Sequence, residues 1–327
     1  MKKNVSDFSL RKRASLGKLL GLSASALAPF PAFAQRSDYP NALRVGFQKG
    51  AAILVAAKAA GTLEKQLSKV DVRNVRWVEF QFGPPMLEAM SARAADLGAV
   101  GDTPPIFAQA GGGDIAYVLA TASSAHGIVV QNDSPIHSLA DLQGKRVAFG
   151  KGSSAHNVVL KALKLAGLTY KDIHPVYLGP AEAMAAFTGR KIDAWAIWDP
   201  YYALAEERLG ARVIADTGRF PELGSNSFYI ANKHFAERFP RVVHAALDSF
   251  VETIRWADTH RDEVAALLAK STGLDLAIQK RATDRAVFDH TPFTDDVLNR
   301  QQETADVFFQ EKLIPAKINI RDIVWRG

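Results

Sequence analysis

The stretch Val147-Ala148-Phe149-Gly150-Lys151-Gly152-Ser153-Ser154-Ala155-His156-Asn157 gathers groups suited to holding an anion. An apolar strand leads into a small, hydroxyl-bearing turn, and residues 155–163 then read as a helix. The first turn of a helix carries N–H groups with no intrahelical acceptor, and the helix dipole makes that end positive. An anion can be held there without a buried cation. Ser153, Ser154 and, from another turn, Thr103 add hydroxyl donors, and a charged acceptor roughly doubles the strength of each such bond. His156 is either a ring N–H donor or a first-turn surface residue. Lys49 and Lys151 either steer anions or stand as solvated surface charges.

Two more turns have the same strand-to-helix character: Gln48-Lys49-Gly50 after Leu43–Phe47, and Gly101-Asp102-Thr103-Pro104-Pro105 after Leu97–Val100. All three lie at the carboxyl ends of predicted strands, where open α/β sheets bind their ligands. Asp102 would repel an anion if aimed at it, so it is expected to cap the helix that begins at Pro104. In Trp195-Ala196-Ile197-Trp198-Asp199-Pro200, alternation puts Trp195 and Ile197 on one strand face and Ala196 and Trp198 on the other. Trp198, at the strand's end, is expected to wall a cleft, and Trp195 to lie in the core. Phe82 and Met86 are candidates for a second apolar wall.

The chain has no cysteine, which excludes thiolate nucleophiles, disulfides and cysteine metal sites. Its eight histidines show no H-E-x-x-H spacing, and neither a G-x-S-x-G elbow, a dinucleotide fingerprint nor a P-loop occurs. Asp193 and Asp199 flank the tryptophan-rich strand, but two carboxylates alone do not specify hydrolysis. The expectation is a binding protein with no catalytic residues, no cofactor and no metal.

The elements that position these turns alternate strand and helix through the first two thirds of the chain, as in an α/β fold. Strands are predicted at 43–47, 72–80, 97–100, 115–122, 146–149, 175–178, 194–197, 212–215 and 228–231. The last third reads as helices over 241–259, 261–270, 274–286 and 295–311. Val243, Leu247, Phe250, Val251 and Ile254 recur at helical spacing. The simplest assembly has two α/β lobes joined by extended crossings at 127–131 and 224–228, with no repeat of 20–50 residues.

The amino terminus has the plan of an export signal: Lys2, Lys3, Arg11, Lys12 and Arg13, an apolar stretch over 16–28, and Ala32-Phe33-Ala34 as a cleavage site. The whole chain carries 40 basic and 34 acidic residues; without 1–34 these become 34 and 33, a net charge of +1. A basic nucleic-acid-binding surface therefore has no support.

Three stretches resemble signatures of the periplasmic aliphatic sulfonate-binding proteins of ABC importers. They are Gly101-Asp102-Thr103-Pro104-Pro105-Ile106-Phe107-Ala108-Gln109-Ala110, Lys151-Gly152-Ser153-Ser154-Ala155-His156-Asn157 and 193–202. Val78-Glu79-Phe80, Gly83-Pro84 and the tail around Leu313-Ile314-Pro315 and Ile320-Arg321 carry the likeness across about residues 41 to 325. The resemblance implies a type II periplasmic-binding-protein fold. A signal peptide would occupy 1–34, the first lobe 41–127 and 228–327, and the second 128–227. It implies a monomer that delivers an alkanesulfonate to a membrane ABC permease, and a site drawing on Gln48, Gly101, Asp102, Thr103, Ser153, Ser154, His156, Trp198 and Asp199. A role for His126 stays open. Taurine- or nitrate-type receptors and an enzyme on the same fold are the alternatives.

Overall fold

The computed structural model describes residues 40–327, so the expected signal peptide lies outside the described residues. Two sheets organise them. The first contains β1 (Leu43–Phe47), β2 (Val75–Glu79), β3 (Leu97–Val100), β4 (Ile115–Ala122), β10 (Asn226–Asn232) and β11 (His290–Thr291), in the order β11-β4-β10-β3-β1-β2. The second contains β5 (His126–Val130), β6 (Arg146–Phe149), β7 (His174–Tyr177), β8 (Ala194–Trp198) and β9 (Arg212–Asp216), in the order β7-β6-β8-β5-β9. The chain changes sheet over residues 123–125 and 217–225. Residues 127–130, expected within a crossing, instead form β5 and pair with both β8 and β9.

The two sheets share one plan. Parallel strands β2-β1-β3 are extended by antiparallel β10 and then β4, and β7-β6-β8 by antiparallel β5 and then β9. Each half places a helix after each parallel strand. In the first half these include α1 (Ala52–Ala60), α3 (Gly83–Ser91) and α4 (Thr103–Ala110); in the second, α5 (Ser154–Leu165), α6 (Pro180–Thr188) and α7 (Tyr201–Leu209). Proline occupies the first turn of α3 and of α6, where its missing N–H has no intrahelical acceptor to lose. One ion pair recurs as well. The backbone N–H and guanidinium of Arg44 donate to Asp96, just ahead of β3, and those of Arg146 donate to Asp193, just ahead of β8. The reciprocal N–H of each aspartate donates to the carbonyl of its arginine. The correspondence runs at a separation of about a hundred residues, far beyond the short period of a solenoid.

Apolar clusters cover both faces of each sheet. α1, α2 (Thr62–Ser68), α9 (Pro240–Thr259) and α10 (Arg261–Thr272) pack on one face of the first sheet. α3, α4 and α12 (Asp295–Gln310) pack on the other. In α9 the buried stripe runs through Val242, Val243, Ala246, Phe250, Ile254 and Ala257. It is rotated from the expected one, leaving Leu247 and Val251 half-exposed. Met86, expected near a ligand, is fully buried in α3. Its sulfur fills the groove over Gly46 and Gly98, where an added Cβ would lie 2.5 and 2.7 Å from it.

Asp96 is buried and Asp193 is about a third exposed, although both make the same bonds. Asp96→Ala is expected to cost about 1.5–3 kcal/mol of unfolding free energy, the worth of hydrogen bonds to a charged group. Asp193→Ala should cost less because water replaces the carboxylate. Urea titration of both variants checks this; equal losses would contradict the dependence on burial.

Candidate functional site

The carboxyl ends of β1, β3, β6 and β8 converge on a cleft of about 450 Å³ that takes its walls from both sheets. Gln48, Gly101, Ser153, Ser154, Trp198 and Asp199 line it, so the structure brings together six of the residues singled out in the sequence. Gly101 is pressed so close to the second sheet that a Cβ there would lie 2.7 Å from the Cβ of Ser154.

At the amino end of α5, Ser153 occupies the cap position with extended backbone (φ −87°, ψ 167°) but does not cap. Its hydroxyl turns back to donate to the carbonyl of Gly150 at 2.7 Å. The first N–H groups of α5 are thus left without a side-chain acceptor at the positive end of a twelve-residue helix. The neighbouring hydroxyl of Ser154 lies 2.8 Å from Nε2 of His126, whose Nδ1 lies 2.8 Å from the carbonyl of Ser124. A carbonyl only accepts, so Nδ1 of His126 carries the hydrogen, Nε2 accepts, and the Ser154 hydroxyl donates to it. Both serine protons are therefore engaged within the protein, a correction to their reading as free donors.

Gln48 is likewise engaged, donating to the carbonyl of Ala99 at 3.2 Å. Lys49 is the only lysine or arginine among the described lining residues, and Glu79 pairs with it at 3.4 Å. The Lys151 ammonium lies 5.4 Å from the centre of the Tyr177 ring. The apolar wall consists of Trp198 with Phe80, Pro200 and Phe288. Phe82 lies outside it, with its ring edge 3.2 Å from where a Cβ on Gly150 would be. Alternation would put Phe80 and Phe82 on one side, but Phe82 is the residue that enters α3, and only Phe80 lines the cleft.

Three other expectations need correction. His156 is fully buried, stacked at 4.7 Å on Phe149 and edge-on at 4.9 Å to Phe308. Its Nδ1 accepts the N–H of Gly152 at 3.3 Å, so it shapes the turn from behind instead of facing the cleft. Burial pushes its pKa down to about 3, keeping it neutral. Asp102 does not cap α4: its carboxylate accepts from Thr103 Oγ1 at 3.0 Å and from Asn157 Nδ2 at 2.5 Å, tying α4 to α5 across the two halves. Thr103 is buried with it, its hydroxyl spent on that bond.

Asp199 lines the cleft but faces a partner of its own. One oxygen accepts the N–H of Ala203 at 3.0 Å, and the other lies 2.9 Å from Nε of Arg285. Burial pushes this carboxyl up to about 6, with Arg285 opposing. Arg285 also pairs with Glu206 at 2.6 Å, and Arg281 with Glu206 at 2.8 Å and Glu207 at 3.1 Å. Arg281 lies on α11 (Leu276–Asp284), which Arg285 directly follows. No local pattern near residue 199 announces a partner 86 positions later. His126 has a fainter signal, since it stands opposite Trp198 in the β5–β8 ladder. Among the described residues there is no cluster of metal-ligating side chains and no helix long and apolar enough to cross a membrane.

Residues 78–264 match the NMT1/THI5-like family model. The chain is 42% identical over 315 residues to an aliphatic sulfonates-binding protein of Escherichia coli K12, covering 95% of each. It is 34% identical over 284 residues to one from Bacillus subtilis 168, covering 86% of this chain and 85% of the other. The alkanesulfonate-binding protein SsuA of Xanthomonas axonopodis pv. citri, solved bound to MOPS, superposes with a TM-score of 0.82 at 37% identity, over 88% of this chain and 99% of that one. The desulfurization enzyme DszB shares the fold alone, at 16% identity and a TM-score of 0.65. With that extent of identity and a shared periplasmic-binding-protein fold, the chain belongs to the aliphatic sulfonate-binding family of ABC-importer solute receptors.

Proposed function

We propose that this chain captures an aliphatic sulfonate in the cleft between its two sheets and hands it to a membrane ABC permease. The chain would be exported, with its leader removed after Ala34. The observation that carries the reading is the amino end of α5, which opens on the cleft with its cap residue turned away. A sulfonate is a monoanion with three acceptor oxygens and no proton to give. Backbone N–H donors at a positive helix end suit it, and Trp198 with Phe80 would receive its carbon chain. Nitrate, lacking a chain, would leave that wall unused.

Capture without turnover is the accompanying proposal. A mechanism resting on a cysteine thiolate cannot operate in a chain with no cysteine, and the carboxyl nearest the site, Asp199, is occupied by Ala203 and Arg285. Release of sulfite from an alkanesulfonate by the purified protein would overturn this.

Ser154→Ala is expected to weaken methanesulfonate binding by about 1.5–3 kcal/mol, the worth of a hydrogen bond to a charged group, if the bound anion takes over the hydrogen that the free protein gives to His126; calorimetry reads this directly, and unchanged affinity would leave the anion to the backbone N–H groups alone. Trp198→Ala should penalise octanesulfonate more than methanesulfonate, by about 0.8 kcal/mol for each methylene that loses contact; an equal penalty contradicts the wall. Gly101→Ala introduces a methyl group against Ser154 and should cost about 1–3 kcal/mol of binding through overpacking. Fluorescence titration should find that loss for every sulfonate tested, independent of chain length.

A further inference from the structure

We propose that His126 is the positioning residue of the anion site and that it takes up a proton as the sulfonate binds. This deepens the sulfonate reading and rests on it. The argument starts from the direction of one hydroxyl. Ser124's carbonyl fixes the hydrogen of neutral His126 on Nδ1, so Nε2 presents a lone pair to Ser154 and the Ser154 proton points at the ring. An oxyanion arriving at Ser154 then meets oxygen lone pairs. Rotating the hydroxyl toward the anion would leave Nε2, in a ring only 2% exposed, facing the lone pairs of Ser154 with no proton between them.

A proton on Nε2 removes both conflicts. The imidazolium donates through Nδ1 to Ser124 and through Nε2 to the Ser154 oxygen, and the Ser154 hydrogen is released to donate to the anion. The positive charge then stands one hydrogen bond behind the ligand. One monoanion and one proton enter together, leaving the net charge of the site unchanged.

The surrounding charges permit this exchange. Asp102, ahead of α4, favours the imidazolium, while Lys161 on α5 and burial disfavour it, so the ring stays neutral below its ordinary range until the anion arrives. On the flanking strands Asp199 pairs with Arg285 and Asp216 with Arg219, so neither leaves an uncompensated charge beside the ring. Trp198 faces the ring without charge, its centre 6.3 Å away. Thr217, beyond β9, accepts the backbone N–H of His126 and fixes the strand.

The direction of the pH dependence follows. The free protein's imidazole titrates below its ordinary value and the complex's above the free one, so binding takes up a proton between the two. In that window affinity falls about tenfold per pH unit as pH rises, and it levels off below the free value. A sulfonate stays ionised throughout the window, whereas a carboxylate begins to protonate at its acid end. The device therefore favours the stronger acid's anion.

The test is calorimetric titration of the purified protein with methanesulfonate from about pH 5 to 8, in pairs of buffers with different ionisation enthalpies. The expected result is uptake approaching one proton per ligand and affinity falling toward alkaline pH. His126→Gln places an amide N–H where Nε2 stands, and is expected to lose most of the proton uptake, keeping only the pH dependence contributed by the Asp199 carboxyl, which burial pushes up to about 6. Measurable binding by the unaltered protein without uptake overturns the inference and leaves the sulfonate reading intact. Uptake undiminished in His126→Gln also overturns it, by assigning the proton to another group. Absence of methanesulfonate binding at every pH overturns the sulfonate reading and this inference together. Should His126→Gln fail to fold, the imidazole resonances of the unaltered protein, followed with and without methanesulfonate, decide the matter: an unmoved titration midpoint for His126 refutes the proposal.

Discussion

An uncapped helix end facing a cleft is costly to maintain, because its N–H groups must stay presented in place while the chain around them would prefer to satisfy them. Most of the side-chain bonding around α5 serves that purpose. Ser153 stands in the cap position and would ordinarily bond the N–H two or three residues on, but its hydroxyl is drawn back to Gly150. His156 holds the Gly152 N–H from beneath, and its ring is locked between Phe149 and Phe308. Asn157 anchors the next turn to Asp102. The turn is rigid because its polar side chains bind one another, and its free donors belong to the backbone.

The repeated plan of the two sheets explains where that helix end points. In each half the central strand, β1 or β6, lies between two parallel neighbours, and the turns after these strands gather at one edge. Facing the two edges toward each other brings Gln48 and Gly101 from one half opposite Ser154 and Trp198 from the other. Gly101 is then constrained by proximity instead of by backbone angle, since its missing Cβ is what admits Ser154. β5 and β10, the strands that follow the two sheet changes, occupy equivalent positions beside β8 and β3. His126 consequently begins a strand at the rim of the cleft.

Much of this was legible in the chain. The strand-to-helix turns at 48–50, 101–105 and 150–154 could be placed because apolar runs end in glycine, serine and proline at each, and these signals are local. Side-chain direction was not legible to the same degree. His156 and Ser154 differ by two positions on one helix, about 200° of rotation, and only the packing of α12 through Phe308 decides which of them meets the cleft. Met86 was misread because its place depends on Gly46 and Gly98 in two different strands. Asp102 was read as a helix cap because an aspartate just ahead of a helix is a common one; its true partner, Asn157, lies 55 residues on. The hundred-residue correspondence between the halves survives in Arg44–Asp96 and Arg146–Asp193, a trace too sparse to see without the strands aligned.

Charge near the site obeys one rule that makes sense of its acids. An anion site built from neutral donors has only modest attraction to spare, so an uncompensated carboxylate nearby would cancel it. Asp102 is surrounded by the Thr103 hydroxyl and the Asn157 amide, with the half-buried Lys161 ammonium acting on it from α5. Lys161 is itself held by the carbonyl of Gly224, in the segment that leads back to the first sheet. Asp199 is answered by Arg285 and Glu79 by Lys49, so both of these carboxyls reach the cleft with a counter-ion. Each acid is thus neutralised by a group from a different element, Lys161 and Asn157 from α5 and Arg285 from the end of α11. Neutrality at the site therefore depends on those elements being packed together. A displaced α11 would expose the Asp199 charge to the cleft, so the same packing that brings the two sheets' edges together also makes the cleft hospitable to an anion.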